Sequence, residues 1–215
     1  MNKFEQFAKL FKEYNSHTNL MSKNDAKMLE TKHIPDCLAI SKFFEKYSVP
    51  KTLLDIGTGG GLPAIPIALA FPTIDVTATD SIGKKIKFIE NVKKELSIDS
   101  LHPVCERVEN LKNKGVFDIV TTRAVASLST ILEYSAPFAK INGYIVAYKS
   151  KTADDELNAA QNAIKVLKLK FIEKIDVSNF QNDDDVERYL LIFQKIDKTP
   201  SAYPRQNNLA RKNPL

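Results

Sequence analysis

The sequence predicts an α/β fold: a mostly parallel seven-stranded sheet, antiparallel at its last strand, preceded by an N-terminal helical cap. Three observations carry this. The first 50 residues are helical in periodicity. After Val49 and Pro50, short apolar runs alternate with helical stretches. Of the chain's 7 glycines, Gly57, Gly59, Gly60 and Gly61 fall together, between the first apolar run and the helix after it. A length of 215 residues with 43% hydrophobic content suits one domain of this class with a small appendage. The expected organisation is a helical cap over 1–50, a ligand-binding α/β domain over 51–196 and a basic tail over 197–215.

Each element has its own signal. Phe4, Phe7, Ala8, Leu10, Phe11 and Tyr14 recur at three- and four-residue spacing, an amphipathic helix that "YNSHTNL" should break. Ser22 and Asp25 stand three apart, as in a capping box, and open a second helical region. Pro35 belongs in the first turn of a third helix, "IPDCLAISKFFEKY". The strands are "TLLDIG", "IDVTATD", "LHPVCERV", "FDIVTTR", "GYIVAYK", "LKFIEKIDV" and "VERYLLIFQK". Helices are expected over Pro63–Ala70, Lys84–Leu96, Leu128–Ala139 and Asp154–Leu167. Only the polar loop "SNFQNDDD" separates the last two strands, so they form an antiparallel hairpin. The tail after Lys195 should be irregular.

Several classes are set aside. No run approaches a membrane span, and "MNKFEQFAKLFKEYN" mixes charge into every turn, unlike a signal peptide. The 2 cysteines, Cys37 and Cys105, suggest neither a disulfide framework nor a metal site. His17, His33 and His102 have no metal-ligand partner at suitable spacing and are expected to pack or face solvent. A cytoplasmic protein is expected, and nothing demands more than a monomer. The net charge of +5 is mild, but its placement is informative. Lys198, Arg205, Arg211 and Lys212 gather in the tail, and Lys84, Lys85, Lys87, Lys93 and Lys94 follow "TDSIG". Such clusters suit a polyanion, or are simply solvated faces.

In an open parallel sheet, ligands bind at the carboxyl ends of the strands, where strand order reverses. The glycine window sits at such an end. It fails the dinucleotide pattern G-x-G-x-x-G, because Leu62 and Ala64 occupy the required glycine positions, and it lacks the G-K-[ST] of a P-loop. What remains is D-x-G-x-G-x-G: Asp55, Gly57, Gly59 and Gly61. This resembles the first motif of the Rossmann-like class I methyltransferases that use S-adenosyl-L-methionine. Asp80 ends the second strand and can accept from ribose hydroxyls, or cap the turn before "SIG". Val108 and Glu109, after the third strand, lie where an adenine edge is read, although Glu109 could equally be a helix-cap acid.

The reacting atom is constrained by what is missing. The fourth strand ends Thr121, Thr122, Arg123, with no N/D-P-P-Y motif for exocyclic amines and no acid for 2′-hydroxyls. Cys37 and Cys105 are poorly placed to be a nucleophile for pyrimidine carbon-5. Guanine N7 needs no base, since its lone pair is free at neutral pH. Catalysis then reduces to positioning and electrostatics.

Finally, "DIGTGGGLPAIPIA", "DSIGKKIKFI", "FDIVTTRAVASL", "ARKNPL", "YNSHTNL" and "HIPDCL" together resemble the GidB (RsmG) family. The resemblance runs from about Tyr14 to the C-terminus. It implies a 16S ribosomal RNA guanine-N7 methyltransferase, acting on guanosine 527 in the standard RNA numbering. It implies S-adenosyl-L-methionine contacts at Gly57, Leu62, Val108, Glu109 and Arg123, and small-subunit RNA as partner. Arg123 is odd beside a sulfonium, and makes sense forking onto the cofactor carboxylate or an RNA phosphate. Lys149, ending the fifth strand, is a candidate for holding a phosphate or the base, or is a solvated strand end. Arg205, Arg211 and Lys212 are expected to face RNA. Gln206 and Asn207 depart from the family's usual tail. The alternatives are a small-molecule methyltransferase on the same fold and a catalytically dead RNA-binding protein.

Overall fold

The computed structural model describes residues 1–123, 126–180 and 187–215. Ala124 and Val125 of "FDIVTTRAVASL", and residues 181–186 of the polar loop, lie outside the described residues.

The cap begins with α1 (Lys3–Thr18). Asn2 and Glu5 cap it reciprocally: the Glu5 amide donates to Asn2 Oδ1 at 2.9 Å and the Asn2 amide to Glu5 Oε2 at 3.0 Å. The helix continues through "YNSH", where the sequence predicts a break. Ser16 and Thr18 turn their hydroxyls back onto the carbonyls of Glu13 and Tyr14, so neither competes for the backbone. Asn19, at φ 53°, ends it. Ser22 caps α2 (Lys23–Lys27) as predicted, accepting from the Asp25 amide at 3.1 Å. A wide turn over Leu29–His33 leads into α3 (Ile34–Leu38), with Pro35 in its first turn. The single helix predicted here is two, because the chain tightens at the fully buried Ala39 and Ile40 before α4 (Ser41–Tyr47).

The sheet comprises β1 (Thr52–Ile56), β2 (Asp75–Asp80), β3 (Leu101–Cys105), β4 (Phe117–Arg123), β5 (Ala139–Lys149), β6 (Leu169–Asp176) and β7 (Tyr189–Lys195). Their order is β3-β2-β1-β4-β5-β7-β6. β1 to β5 pair in parallel, and β7 runs antiparallel to both β5 and β6, as the short connection requires. The order reverses between β1 and β4. The crossovers are α5 (Ala64–Ala70), α6 (Gly83–Glu95), α7 (Leu128–Ser135), and the pair α8 (Ala153–Ala159) and α9 (Gln161–Val166). Two expected helices are shorter than predicted. α7 stops at Ser135 because Ala139 already pairs with Phe117 in the sheet, and the predicted Asp154–Leu167 helix breaks at the fully buried Ala160.

Strand alternation sends Leu53 and Asp55 to one face, and Leu54 and Ile56 to the other. The first face packs on α5, α6 and the cap, where the rings of Phe11 and Phe88 meet edge-on at 5.6 Å. The second face packs on α7, α9 and the tail. The cap also holds the glycine window: a Cβ at Gly60 would lie 2.5 Å from the Phe11 ring, so only glycine fits there. The tail is irregular to Asn208 and ends in the short α10 (Leu209–Lys212). Among the described residues, no helix is long and apolar enough to cross a membrane.

Candidate active site

Two cavities open at the carboxyl ends of the parallel strands, one on each side of the reversal between β1 and β4. The first, of about 310 Å³, lies over β1, β2 and β3. Gly57, at φ 70°, follows β1 directly and lines it. Asp80 lines it from the end of β2, and Val108 and Glu109 from the turn after β3. The Asp80 carboxylate is already bound into the loop. Its Oδ2 accepts from the Gly59 amide at 3.0 Å and from Lys85 Nζ at 3.5 Å, and its Oδ1 from the Ile82 amide at 2.9 Å. It is 9% exposed, and that exposed edge faces the cavity. Glu109 is buried, with Arg107 Nη2 3.4 Å from its Oε1.

Gly61 and Leu62 do not line this cavity. Gly61, at φ 84°, lies against Ile65, and Leu62 is buried in the core on the cap side. Gly59 contributes its amide to Asp80. The structure adds Lys85, Tyr134, Asn208 and Arg211 to the wall. The tail therefore closes the cavity: Tyr134 Oη donates to Asn208 Oδ1 at 3.2 Å, and Gln206 Nε2 donates to the Glu109 carbonyl at 2.9 Å. Asn207 and Asn208 both adopt positive φ there.

The second cavity, also about 310 Å³, lies over β4 and β5. Arg123 is here. Its Nε donates to Asp36 Oδ2 at 2.7 Å and its Nη2 to His33 Nδ1 at 2.7 Å. Burial works against the guanidinium's charge, but Cys37 and Asp36 outweigh it and its pKa moves up. His33 is pushed down by burial and then by Arg123, so it stays neutral and can accept at Nδ1. Arg188 Nε lies 3.4 Å from the other oxygen of Asp36. Lys149 lines the same cavity, with Nζ donating to Glu156 Oε2 at 2.6 Å and to the Ala126 carbonyl at 3.2 Å.

Asp55 lies in neither cavity. It is fully buried, and Thr121 Oγ1 donates to its Oδ1 at 3.1 Å. Burial pushes its carboxyl up to about 7, against the pull of hydrogen bonds and of Arg123.

The tail cations divide. Lys212 is exposed, and Arg211 is exposed at the first cavity. Arg205 is engaged within the fold. Its Nε and Nη2 clasp both oxygens of the fully buried Glu133, at 2.9 and 2.6 Å, and its backbone amide donates to the same carboxylate at 2.9 Å. Among the described residues, no three His, Cys, Asp or Glu side chains converge as metal ligands.

The strand order and the two flanking cavities define a class I methyltransferase fold. Solved structures agree. TYW2 of M. jannaschii in complex with AdoMet superposes with a TM-score of 0.58 at 15% identity, covering 82% of this chain and 78% of that one. The antibiotic-resistance methyltransferase Kmr does so at 0.55 and 16%, covering 69% and 88%. The chain belongs to the rRNA small subunit methyltransferase G family, GidB, whose model matches residues 1–183. Ribosomal RNA small subunit methyltransferase G of Lactobacillus johnsonii is 38% identical over 208 residues, 94% of this chain and 86% of that protein. The protein of the same name from Lysinibacillus sphaericus is 36% identical over 216 residues, 99% and 90%.

Removing the Arg205 side chain strands the Glu133 charge in the core. Arg205→Ala should therefore cost about 3–5 kcal/mol of folding stability, measured by urea denaturation. A change below about 1 kcal/mol would place Arg205 among ordinary surface cations.

Proposed function

We propose that the protein transfers a methyl group from S-adenosyl-L-methionine to N7 of a guanosine in small-subunit ribosomal RNA, guanosine 527 in the standard numbering. The names of its relatives support the RNA class. The observation that carries the choice of atom is the state of the second cavity's carboxylates. Asp36 is engaged by Arg123 and Arg188, and Glu156 by Lys149 and the Leu128 amide. Neither is placed to accept a proton from a substrate. Among the described residues, a nucleophile that must lose a proton would lack a free carboxylate base there, and N7 loses none.

The first cavity suits the cofactor. Gly57 at its edge lets a ligand approach the backbone closely. The Asp80 carboxylate is an acceptor for a ribose diol, and the backbone at Val108 and Glu109 is an edge for adenine. When bound there, the cofactor supplies a methyl on a positively charged sulfur. That methyl would pass to the N7 lone pair, which leaves no proton for any residue of the chain to take. The chain positions both partners and excludes water from between them. We assign cofactor contact to Gly57, Asp80, Val108 and Glu109, with Gly59, Gly61 and Leu62 shaping the loop. Arg123 and Lys149 belong to the RNA side. Arg211 and Lys212 meet phosphate, while Arg205 holds the tail that carries them. The first 50 residues act as a cap that completes the substrate cavity through Asp36.

The test is methyl transfer from labelled S-adenosylmethionine to unmethylated small-subunit RNA, naked and assembled, followed by chemical cleavage at 7-methylguanosine. One labelled cleavage site is expected. Label that resists this cleavage would exclude N7. In a separate measurement, Arg211→Gln with Lys212→Gln should flatten the salt dependence of RNA binding, reducing the log–log slope by about 1.5–2. An unchanged slope would remove the tail from the RNA interface.

A further inference from the structure

We infer that the second cavity seats the target guanine, and that Lys149 is the donor that recognises its O6. This rests on the reading of the protein as a guanine-N7 methyltransferase. Three observations lead to it.

The first is the valence of the ammonium. Lys149 has three donor protons. One goes to Glu156 Oε2 at 2.6 Å and one to the Ala126 carbonyl at 3.2 Å. The side chain is only 7% exposed, and it lines the cavity, so the third is left to whatever occupies that cavity. That proton needs an acceptor, and the cavity is where one can enter.

The second is position. Lys149 ends β5, beside β4 and across the strand-order reversal from the first cavity. On guanine, O6 and N7 share one edge, so a donor fixed on O6 also fixes where N7 points. Adenine carries an amino group in place of O6, and two donors would then face each other. Lys149 would thus both orient the nucleophile and reject the other purine.

The third is charge. N7 becomes positive as the methyl arrives, and an isolated ammonium beside O6 would oppose this. Glu156, 2.6 Å from Nζ, neutralises it locally, while Asp36 on the same wall is taken up by Arg123 and Arg188. Glu156 also accepts from the Leu128 amide at 2.9 Å, which anchors the pair to the start of α7. It is a positioning residue for Lys149.

The experiment uses the full-length chain and small-subunit RNA carrying guanosine, inosine or 2-aminopurine at the methylated position. Inosine keeps O6 and lacks the 2-amino group, whereas 2-aminopurine keeps the amino group and lacks O6. The wild-type enzyme should methylate guanosine and inosine at similar rates and 2-aminopurine about 100-fold more slowly, the range of one charged hydrogen bond. In Lys149→Met the guanosine rate should fall by a comparable factor, and the preference for guanosine over 2-aminopurine should disappear. Cofactor affinity should stay as in wild type, thermal melting should fall because Glu156 loses its partner, and Lys149→Arg should recover part of both the preference and the melting temperature.

Equal rates on guanosine and 2-aminopurine in the wild-type enzyme would overturn the assignment, even if Lys149→Met failed to fold. So would a preference that survives in Lys149→Met while the salt slope of RNA binding drops by about one, which would make Lys149 a phosphate contact. A loss on inosine alone would point to the 2-amino edge and overturn it too. Absence of methylation on the guanosine substrate would defeat the underlying functional reading, and the inference with it.

Discussion

The guanidinium of Arg123 is almost out of water, and much of the site's architecture follows from keeping it paired. A charge so buried persists only if hydrogen-bonded acceptors surround it, and stranding it costs several kcal/mol. Its acceptors, Asp36 and His33, come from the cap, and Arg188 shares the Asp36 carboxylate from the start of β7. The end of β4, the cap and the last hairpin are thereby tied at one point. Loss of this pair would loosen the wall of the cavity over β4 and β5. The side proposed for the cofactor, over β1 to β3, is held by a different bond, from the Gly59 amide to Asp80. The two halves of the site are therefore stabilised separately.

This division fits a reaction with no proton to manage. Among the described residues, the carboxylates facing the second cavity, Asp36 and Glu156, are both engaged by cations. Neither can act as a general base without breaking its own ion pair. Such a site can hold a flat base in a fixed electrostatic field, which is what transfer to a neutral nitrogen lone pair requires.

Much of this was legible in the sequence because it is local. The glycine window, Asp80 at the end of β2 and the alternation of runs and helices each follow from periodicity or turn chemistry within a few residues. The antiparallel hairpin followed from the absence of a helix between its strands. Boundaries were less legible. α1 continues through Ser16 and Thr18 because their hydroxyls bond back onto the helix, and α7 stops early because Ala139 is claimed by the sheet. Long-range pairing was not legible at all. Nothing near Arg205 signals that Glu133, 72 residues away, is its partner, or that Arg123 meets Asp36 across 87 residues. The tail as a cavity wall was hidden for the same reason, because Tyr134 and Asn208 meet only in the folded chain.

The central claim is that cofactor and base occupy opposite sides of the β1–β4 reversal. It is tested most directly by calorimetric titration of S-adenosylmethionine into three forms of the protein: wild type, Asp80→Ala and Lys149→Met. The account predicts that Asp80→Ala weakens binding by about 1.5–3 kcal/mol, the scale of hydrogen bonds to a charged group, while Lys149→Met binds as wild type does. Unchanged affinity in Asp80→Ala, or a matching loss in Lys149→Met, would contradict it.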